Sequence, residues 1–163
     1  MVSEKYKFKP ASDQELSLYV LVGEAVCAVQ HVEDALSHLI VLKSVTPPSK
    51  QEADQLLEKH RLYTLGRAIN IGKEADLYTE VLQQELKKFL SERNWLIHKS
   101  IAQGRDEWDL NNSRDQLFSR IKAITTHAQE LLQIIEEDMI EFSEANGKDM
   151  SRVRAKINKH YFE

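Results

Sequence analysis

Apolar residues recur at helical spacing through two long stretches of this chain. The first stripe is Leu18, Val22, Ala25, Val29, Val32, Leu36 and Leu39, and the second is Leu117, Ile121, Ile124, Ala128, Leu131, Ile135, Met139 and Phe142. A step of three or four residues places such positions on one face of an α-helix, whereas a half-buried strand would alternate apolar and polar residues. The pattern predicts two long amphipathic helices that must bury their stripes against other helices.

Capping signals predict where the helices of the first half begin and end. Ser12-Asp13-Gln14-Glu15 is a capping box that opens a helix running to about Lys43, before Pro47-Pro48. Ser49 can cap a second, short helix that ends near His60. A third short helix is expected from Thr64 to about Ile71, closed by Gly72.

A central helix is predicted from about Asp76 to Ile101, with Leu82, Leu86, Phe89 and Leu90 as its packing face. Gly104 is read as its stop, followed by a polar loop over 102–112 that Trp108 would anchor. Ser113 would cap the last long helix, over 113–146, and Gly147 would end it.

Composition agrees with helix and argues against sheet. The 163 residues include only five Gly and three Pro, so helix-breaking residues are scarce. The chain is therefore expected to be all-α, a helical bundle over 1–147 with a basic C-terminal helix or tail over 148–163 that belongs to the same domain.

The charge distribution is uneven. The net charge is −4, and the segment 148–163 carries +3, which leaves −7 on the residues before it. A basic end on an acidic body can contact RNA phosphates or an acidic partner, and it is equally typical of a solvated terminal helix.

The sequence also bears on compartment and cofactors. No apolar run approaches the roughly 20 residues of a membrane span, and no apolar signal core follows Met1, which indicates a cytoplasmic protein that does not bind membranes. Cys27 is alone and lies among small apolar residues, which predicts a core position. The six His show no metal-ligand spacing, and no Gly-rich phosphate loop exists, so neither a metal nor a cofactor is expected.

Residues 93–98, Arg-Asn-Trp-Leu-Ile-His, are the strongest candidate for chemistry. Arg93 can hold a phosphate bidentately, and His98 carries an imidazole, a group that exchanges protons near neutral pH. Asn94 lies one i,i+4 step before His98 and shares its helical face. Arg93 falls on the stripe of Phe89 and Leu96, so it needs a partner, a ligand or a second subunit. A salt-bridged interior Arg beside a surface His would also fit this spacing.

The pattern Arg93, Asn94, three further residues and His98, late in a helix of a small helical chain, resembles the motif of the HEPN superfamily. The resemblance implies an HEPN-like helical bundle, usually a homodimer, and metal-independent endoribonuclease activity in a toxin–antitoxin or phage-defence setting. It implies RNA as substrate, a cognate antitoxin as a candidate partner, and Arg93, Asn94 and His98 as the catalytic residues. In one branch a Tyr two residues after the His is adenylylated, whereas this chain has Ser100 there.

Helix geometry adds a constraint on this site. Positions i and i+5 lie about 140° apart around a helix, so Arg93 and His98 diverge. They meet one phosphate if the helix ends near His98 or if a twofold mate supplies a second set.

Three readings of the function therefore stand at this point. The first is a dimeric HEPN ribonuclease with His98 as general acid and base and Arg93 as the group that binds the phosphate and the transition state. The second is a non-catalytic HEPN module that binds nucleotide, RNA or a protein partner. The third is a helical scaffold protein in which the motif occurs by chance.

Overall fold

The computed structural model describes residues 10–44, 49–107 and 111–162. Every regular element in these ranges is an α-helix, which confirms the all-α prediction for them. The helices are α1 (Asp13–Ser44), α2 (Lys50–Arg61), α3 (Leu65–Glu74), α4 (Glu80–Glu107), α5 (Asn111–Ala145) and α6 (Ser151–Phe162).

The first three helices begin at the predicted caps, whereas α4 begins at Glu80 rather than near Asp76 and α5 begins at Asn111, two residues before the predicted cap Ser113. The Ser12 N–H donates to Glu15 Oε2 at 2.7 Å and the Glu15 N–H donates back to Ser12 Oγ at 3.3 Å, so the capping box is confirmed. Ser49 and Thr64 cap α2 and α3 by accepting from backbone N–H groups three residues on. These bonds satisfy donors that a helix leaves unpaired in its first turn.

Helices α1, α4 and α5 form the central layer of the bundle. Lys43, near the end of α1, donates to the Leu77 carbonyl just before α4, whereas Glu33 pairs with Arg93 farther along α4. Helix α4 therefore runs antiparallel to α1. It also runs antiparallel to α5, because the Arg120 guanidinium stacks on Trp95 while the later His127 meets Glu92. Helices α1 and α5 are consequently parallel to each other.

The core is built from the two predicted stripes and the packing face of α4. Leu36, Leu39, Leu82, Leu86, Phe89, Ile121, Leu131 and Ile135 are all 0 % exposed. Each such side chain contributes about 1.5–3 kcal/mol by leaving water. The stripe residues that are only partly buried, Val22, Met139 and Phe142, lie at the margins of the same faces.

The short helices cover the bundle from outside. Helices α2 and α3 lie on the C-terminal half of α1, and α3 also packs on α4. Helix α6 folds back on α5, where Arg154 pairs with Glu137 at 2.8 Å and with Glu144 at 2.9 Å. The Tyr161 hydroxyl donates to Glu136 at 2.9 Å, so both ends of α6 are fastened to α5.

Two glycines do not act as the predicted stops. Helix α4 continues through Gly104 to Glu107, because a glycine inside a helix costs only about 1 kcal/mol and long helices tolerate it. Residues 102–107 and 111–112 of the predicted 102–112 loop are therefore helical, and Trp108 lies outside the described residues. Gly72 lies inside α3, and its missing side chain makes room for the buried Tyr78 ring. Gly147, by contrast, ends α5 with a φ of +78°, as predicted.

The predicted core position of Cys27 is wrong, since its side chain is exposed. Neighbouring apolar residues suggested burial, but Cys27 lies two positions after the buried Ala25 and so faces about 200° away from it.

Helix α1 is long and apolar enough to cross a membrane by length and composition alone, which corrects the expectation that no segment comes near this limit. Half of the 18-residue apolar stretch that gives this signal is buried inside the bundle. A core helix of a soluble bundle has the same composition, so the signal is weak evidence for a membrane span.

Candidate active site on helix α4

Arg93 lies in the middle of the buried stripe of α4. Phe89, one turn before it, is 0 % exposed and Leu96, one turn after it, is 1 % exposed. The Arg93 side chain itself is 24 % exposed. A guanidinium thus occupies a position that helical periodicity would give to an apolar residue, as the sequence predicted.

Glu33 of α1 is the partner of this guanidinium. Arg93 Nε donates to Glu33 Oε1 at 3.1 Å, and the Glu33 side chain is 29 % exposed. The pair neutralises a charge that would be costly to bury alone. Glu33 takes only the Nε donor, so within the described residues the terminal nitrogens Nη1 and Nη2 form no ion pair.

Asn94 lies beside the ion pair on the exposed surface. Its Oδ1 is 3.5 Å from Arg93 Nη1, a weak hydrogen bond. Within the described residues Asn94 makes no hydrogen bond to His98, so an orienting role toward the imidazole is not seen within one protomer.

His98 is exposed and has no hydrogen bond or ion pair within residues 10–44, 49–107 and 111–162. Helix α4 continues for nine residues beyond it, so the helix does not end there to let the two side chains converge. Arg93 and His98 are separated by about 7.5 Å along the axis and about 140° around it. One protomer therefore does not bring both groups to one phosphate.

The backbone around the motif is held by well-packed neighbours. Trp95 is 8 % exposed, its Nε1 donates to Gln103 Oε1 at 2.7 Å, and the Arg120 guanidinium lies 3.6 Å above its ring. The stacking of Arg120 on Trp95 fixes α4 against α5 next to the motif. The motif side chains are consequently displayed from a rigid helix, which favours a defined site.

Ser100, at the position of the modified Tyr in one HEPN branch, is 1 % exposed. Its hydroxyl donates to the Leu96 carbonyl inside the helix. A buried and already bonded hydroxyl does not offer a modifying enzyme a nucleophile, so this position is unsuited to that form of silencing.

A second cluster of titratable groups joins α4 to α5 close to the motif. His127 Nδ1 lies 2.6 Å from Glu92 and its Nε2 lies 3.2 Å from Glu85, and its ring meets Phe89 edge-on. The hydrogen bond from Lys88 lowers the pKa of the Glu85 carboxyl below its usual value, and His127 adds to this effect. We call these contacts of His127 with Glu92 and Glu85 the His127 clamp. Because Glu92 directly precedes Arg93, the clamp also fixes the start of the motif.

Sequence reasoning missed Glu33 and the His127 clamp for the same reason. Glu33 is 60 residues from Arg93 and His127 is 35 residues from Glu92. The sequence indicated that a charge on a buried stripe needs an opposite charge beside it, but it did not indicate which residue supplies that charge.

Within the described part of the chain, no group of three or more His, Cys, Asp and Glu side chains is arranged to hold a metal ion. No family model, curated protein or solved structure matches this chain. The likeness to HEPN proteins therefore depends on Arg93, Asn94 and His98 and on their helical setting.

Proposed function

We propose that this protein is a metal-independent endoribonuclease of HEPN type that works as a homodimer. One observation carries the proposal. Arg93 is held on the buried stripe of α4 by Glu33 through Nε alone, while exposed Asn94 and His98 follow on the same rigid helix. Within the described residues the terminal nitrogens form no ion pair and only one weak hydrogen bond, so they can bind phosphate oxygens.

The chemistry needs few groups because RNA supplies its own nucleophile. The 2′-OH attacks the adjacent phosphorus and gives its proton to a base, and the 5′-oxygen leaves with a proton from an acid. His98 performs the proton transfers, an effect worth roughly 10²–10⁴ in rate. The Nη groups of Arg93 stabilise the charge that develops on the phosphorane oxygens. The products carry 2′,3′-cyclic phosphate and 5′-OH ends.

A twofold mate resolves the divergence of Arg93 and His98. If α4 of each protomer faces the axis, Arg93 of one protomer and His98 of the partner subunit flank the same phosphate. The exposed Ile97, 43 % accessible between Asn94 and His98, offers apolar area for such a contact. The active unit is then the dimer and each cleft is composite.

The biological setting follows from the resemblance. The protein acts in the cytoplasm as a toxin or a defence component, with RNA as substrate and a cognate antitoxin protein as its candidate regulator. Half of the apolar stretch of α1 is buried inside the bundle, which supports a protein that is not inserted in a membrane.

A non-catalytic helical module is the second candidate, and one observation favours it. Glu33 already satisfies the charge of Arg93 within the protomer, so no ligand is needed to explain that arginine. Such a module would bind nucleotide, RNA or a protein partner without cutting, or serve as a scaffold.

Subunit mixing tests the composite dimer directly. Arg93→Ala and His98→Ala proteins are each expected to be inactive on RNA in EDTA and to remain dimeric. After mixing and exchange at equal amounts, about half of the dimers carry one variant of each kind, and each of these has one intact composite cleft. About a quarter of the parental activity should return.

Control mixtures sharpen this result. His31→Ala, which removes an exposed His outside the motif, should retain full activity. A mixture of active-site variants that stays inactive despite verified exchange would contradict the composite cleft. A monomeric parent protein at micromolar concentration would contradict the dimer itself.

A further inference from the structure

A cavity of about 330 Å³ lies between α1, α3 and the segment that joins α2 to α3. Its polar wall includes Gln30, Glu33 and Asp34, all from α1. Tyr63, Leu65 and Ala68 supply an aromatic and apolar wall on the other side. A small planar ligand with polar edges suits such a mixed lining.

Glu33 connects this cavity to the candidate active site. Its Oε1 accepts from Arg93 Nε at 3.1 Å, and Oε2 has no hydrogen-bond partner within the described part of the chain. A ligand bonded to Oε2 would therefore be separated from the Arg93 guanidinium by one carboxylate. A nucleotide could then place its phosphate on Arg93 and its base in the cavity at the same time.

The polar wall offers mainly acceptors. Asp34 Oδ1 is bonded to Arg61 Nε at 2.6 Å, which neutralises the carboxylate and holds it in place. Gln30 is exposed, and its amide has no partner among the residues that the structure describes. Arg61 also lines the cavity, but its guanidinium is already paired with Asp34 and Glu58, so a phosphate is better placed on Arg93.

Tyr63 gives the cavity a fixed aromatic ring. The Arg67 guanidinium lies 3.9 Å from the centroid of this ring, and the His60 ring meets it edge-on at 5.0 Å. These contacts restrain the ring before any ligand binds. Aromatic rings held in this way are common stacking platforms for unpaired RNA bases.

From this lining we propose that the cavity is a base-binding subsite, which receives a nucleobase carrying an exocyclic amino group next to the phosphate on Arg93. The amino N–H groups of guanine, adenine or cytosine donate to Glu33 Oε2 and to the Gln30 carbonyl, and the base stacks on Tyr63. Uracil has no amino group, and the carbonyl oxygens on both sides of its N3–H repel Glu33 Oε2, so the hydrogen bond to the carboxylate is lost, which costs affinity. The inference rests on the proposed ribonuclease function and adds a base preference to it.

The test measures binding separately from cleavage. His98→Ala protein is titrated by calorimetry with the four ribonucleoside 3′-monophosphates. The guanosine, adenosine and cytidine compounds should bind about tenfold tighter than the uridine compound, because one hydrogen bond to a carboxylate is missing there. Tyr63→Ala should weaken the tight binders about tenfold.

Two further variants separate a site effect from a folding effect. Gln30→Ala removes an exposed side chain, so the protein should fold as before while the preference for amino-bearing bases shrinks. Tyr19→Ala removes a 47 % exposed tyrosine on α1 that does not line the cavity, and it should bind all four nucleotides like the His98→Ala parent.

The outcomes distinguish this inference from the proposed function. If the protein cleaves RNA but Tyr63→Ala and Gln30→Ala leave the base preference unchanged, the subsite is refuted and the ribonuclease stands. If the nucleotides bind with the expected preference but no RNA is cleaved, the subsite stands and the ribonuclease is refuted. Equal affinity for all four nucleotides, or binding to none, overturns the subsite.

Discussion

Gly72→Ala is expected to destabilise the protein strongly, although it replaces one small helical residue by a better helix former. A Cβ at this position would lie 1.9 Å from Tyr78 Cζ and 2.2 Å from its hydroxyl oxygen. Ordinary carbon contacts are about 3.5–4.0 Å, so the Tyr78 ring would have to move. The ring is only 4 % exposed, and its hydroxyl donates to the Ala68 carbonyl at 3.0 Å.

The magnitude follows from the two costs of that movement. Overpacking in a core costs about 1–3 kcal/mol, and a buried hydroxyl that loses its partner costs about 1–3 kcal/mol. We expect a loss of about 3 kcal/mol, which lowers Tm by about 6–12 °C in a chain of this size. Because Tyr78 anchors α3, the change should also loosen the wall of the base-binding subsite formed by Leu65 and Ala68.

Gly23→Ala is the matched control. Gly23 lies in the exposed middle of α1, and a Cβ there meets nothing within 4 Å. Alanine should therefore stabilise the helix by about 0.5–1 kcal/mol, the opposite sign to Gly72→Ala. Thermal and urea unfolding followed by circular dichroism measure both changes. If Gly72→Ala matches the parent or Gly23→Ala in stability, the close packing of Tyr78 on α3 is wrong.

Three further predictions concern the core, the docking of α6 and the binding of phosphate by Arg93. Phe89→Ala should cost about 3–5 kcal/mol in urea unfolding, because this ring is 0 % exposed; a loss below about 1 kcal/mol would contradict its central position. Arg154 lowers the pKa of the Glu144 carboxyl from its ordinary value of 4.5, so the docking of α6 is at full strength above that pH and weakens as the pH falls below it. NMR shifts of α6 amides should report this change between pH 6 and 3, and Arg154→Ala should reduce it to the part that Asp149 contributes through its bond to the Ser151 N–H; a response as large in Arg154→Ala as in the parent would refute the cause. Arg93→Lys should restore only part of the RNA cleavage lost in Arg93→Ala, since a point charge does not reproduce the bidentate guanidinium; full activity would argue against bidentate phosphate binding.

Much of the fold could be predicted because its signals are local. The capping box at Ser12, the cap at Ser49 and the stop at Gly147 are each set by a few adjacent residues. The apolar stripes have a period that only helices satisfy. Gly72 and Gly104 were misread because a glycine inside a helix and a glycine that ends one look alike in sequence.

The candidate site was predictable only in part. The position of Arg93 on the apolar stripe of α4 followed from helical spacing, and so did its divergence from His98. Its partner Glu33 comes from another helix, and the pairing depends on how α1 and α4 align in space. The cavity beside Tyr63 depends in the same way on how α3 lies against α1. Such contacts arise from packing between distant segments, which spacing within one segment does not encode.

The most direct test of the ribonuclease proposal is RNA cleavage in EDTA by the parent protein and by His98→Ala, with His31→Ala as the matched control. The parent and His31→Ala should cut and leave 2′,3′-cyclic phosphate and 5′-OH ends. His98→Ala should be slower by at least about 100-fold, because it lacks the proton carrier. It should keep its fold, because the imidazole is exposed. Cleavage by His98→Ala at the parental rate, or a parent that cuts no RNA, would contradict the account.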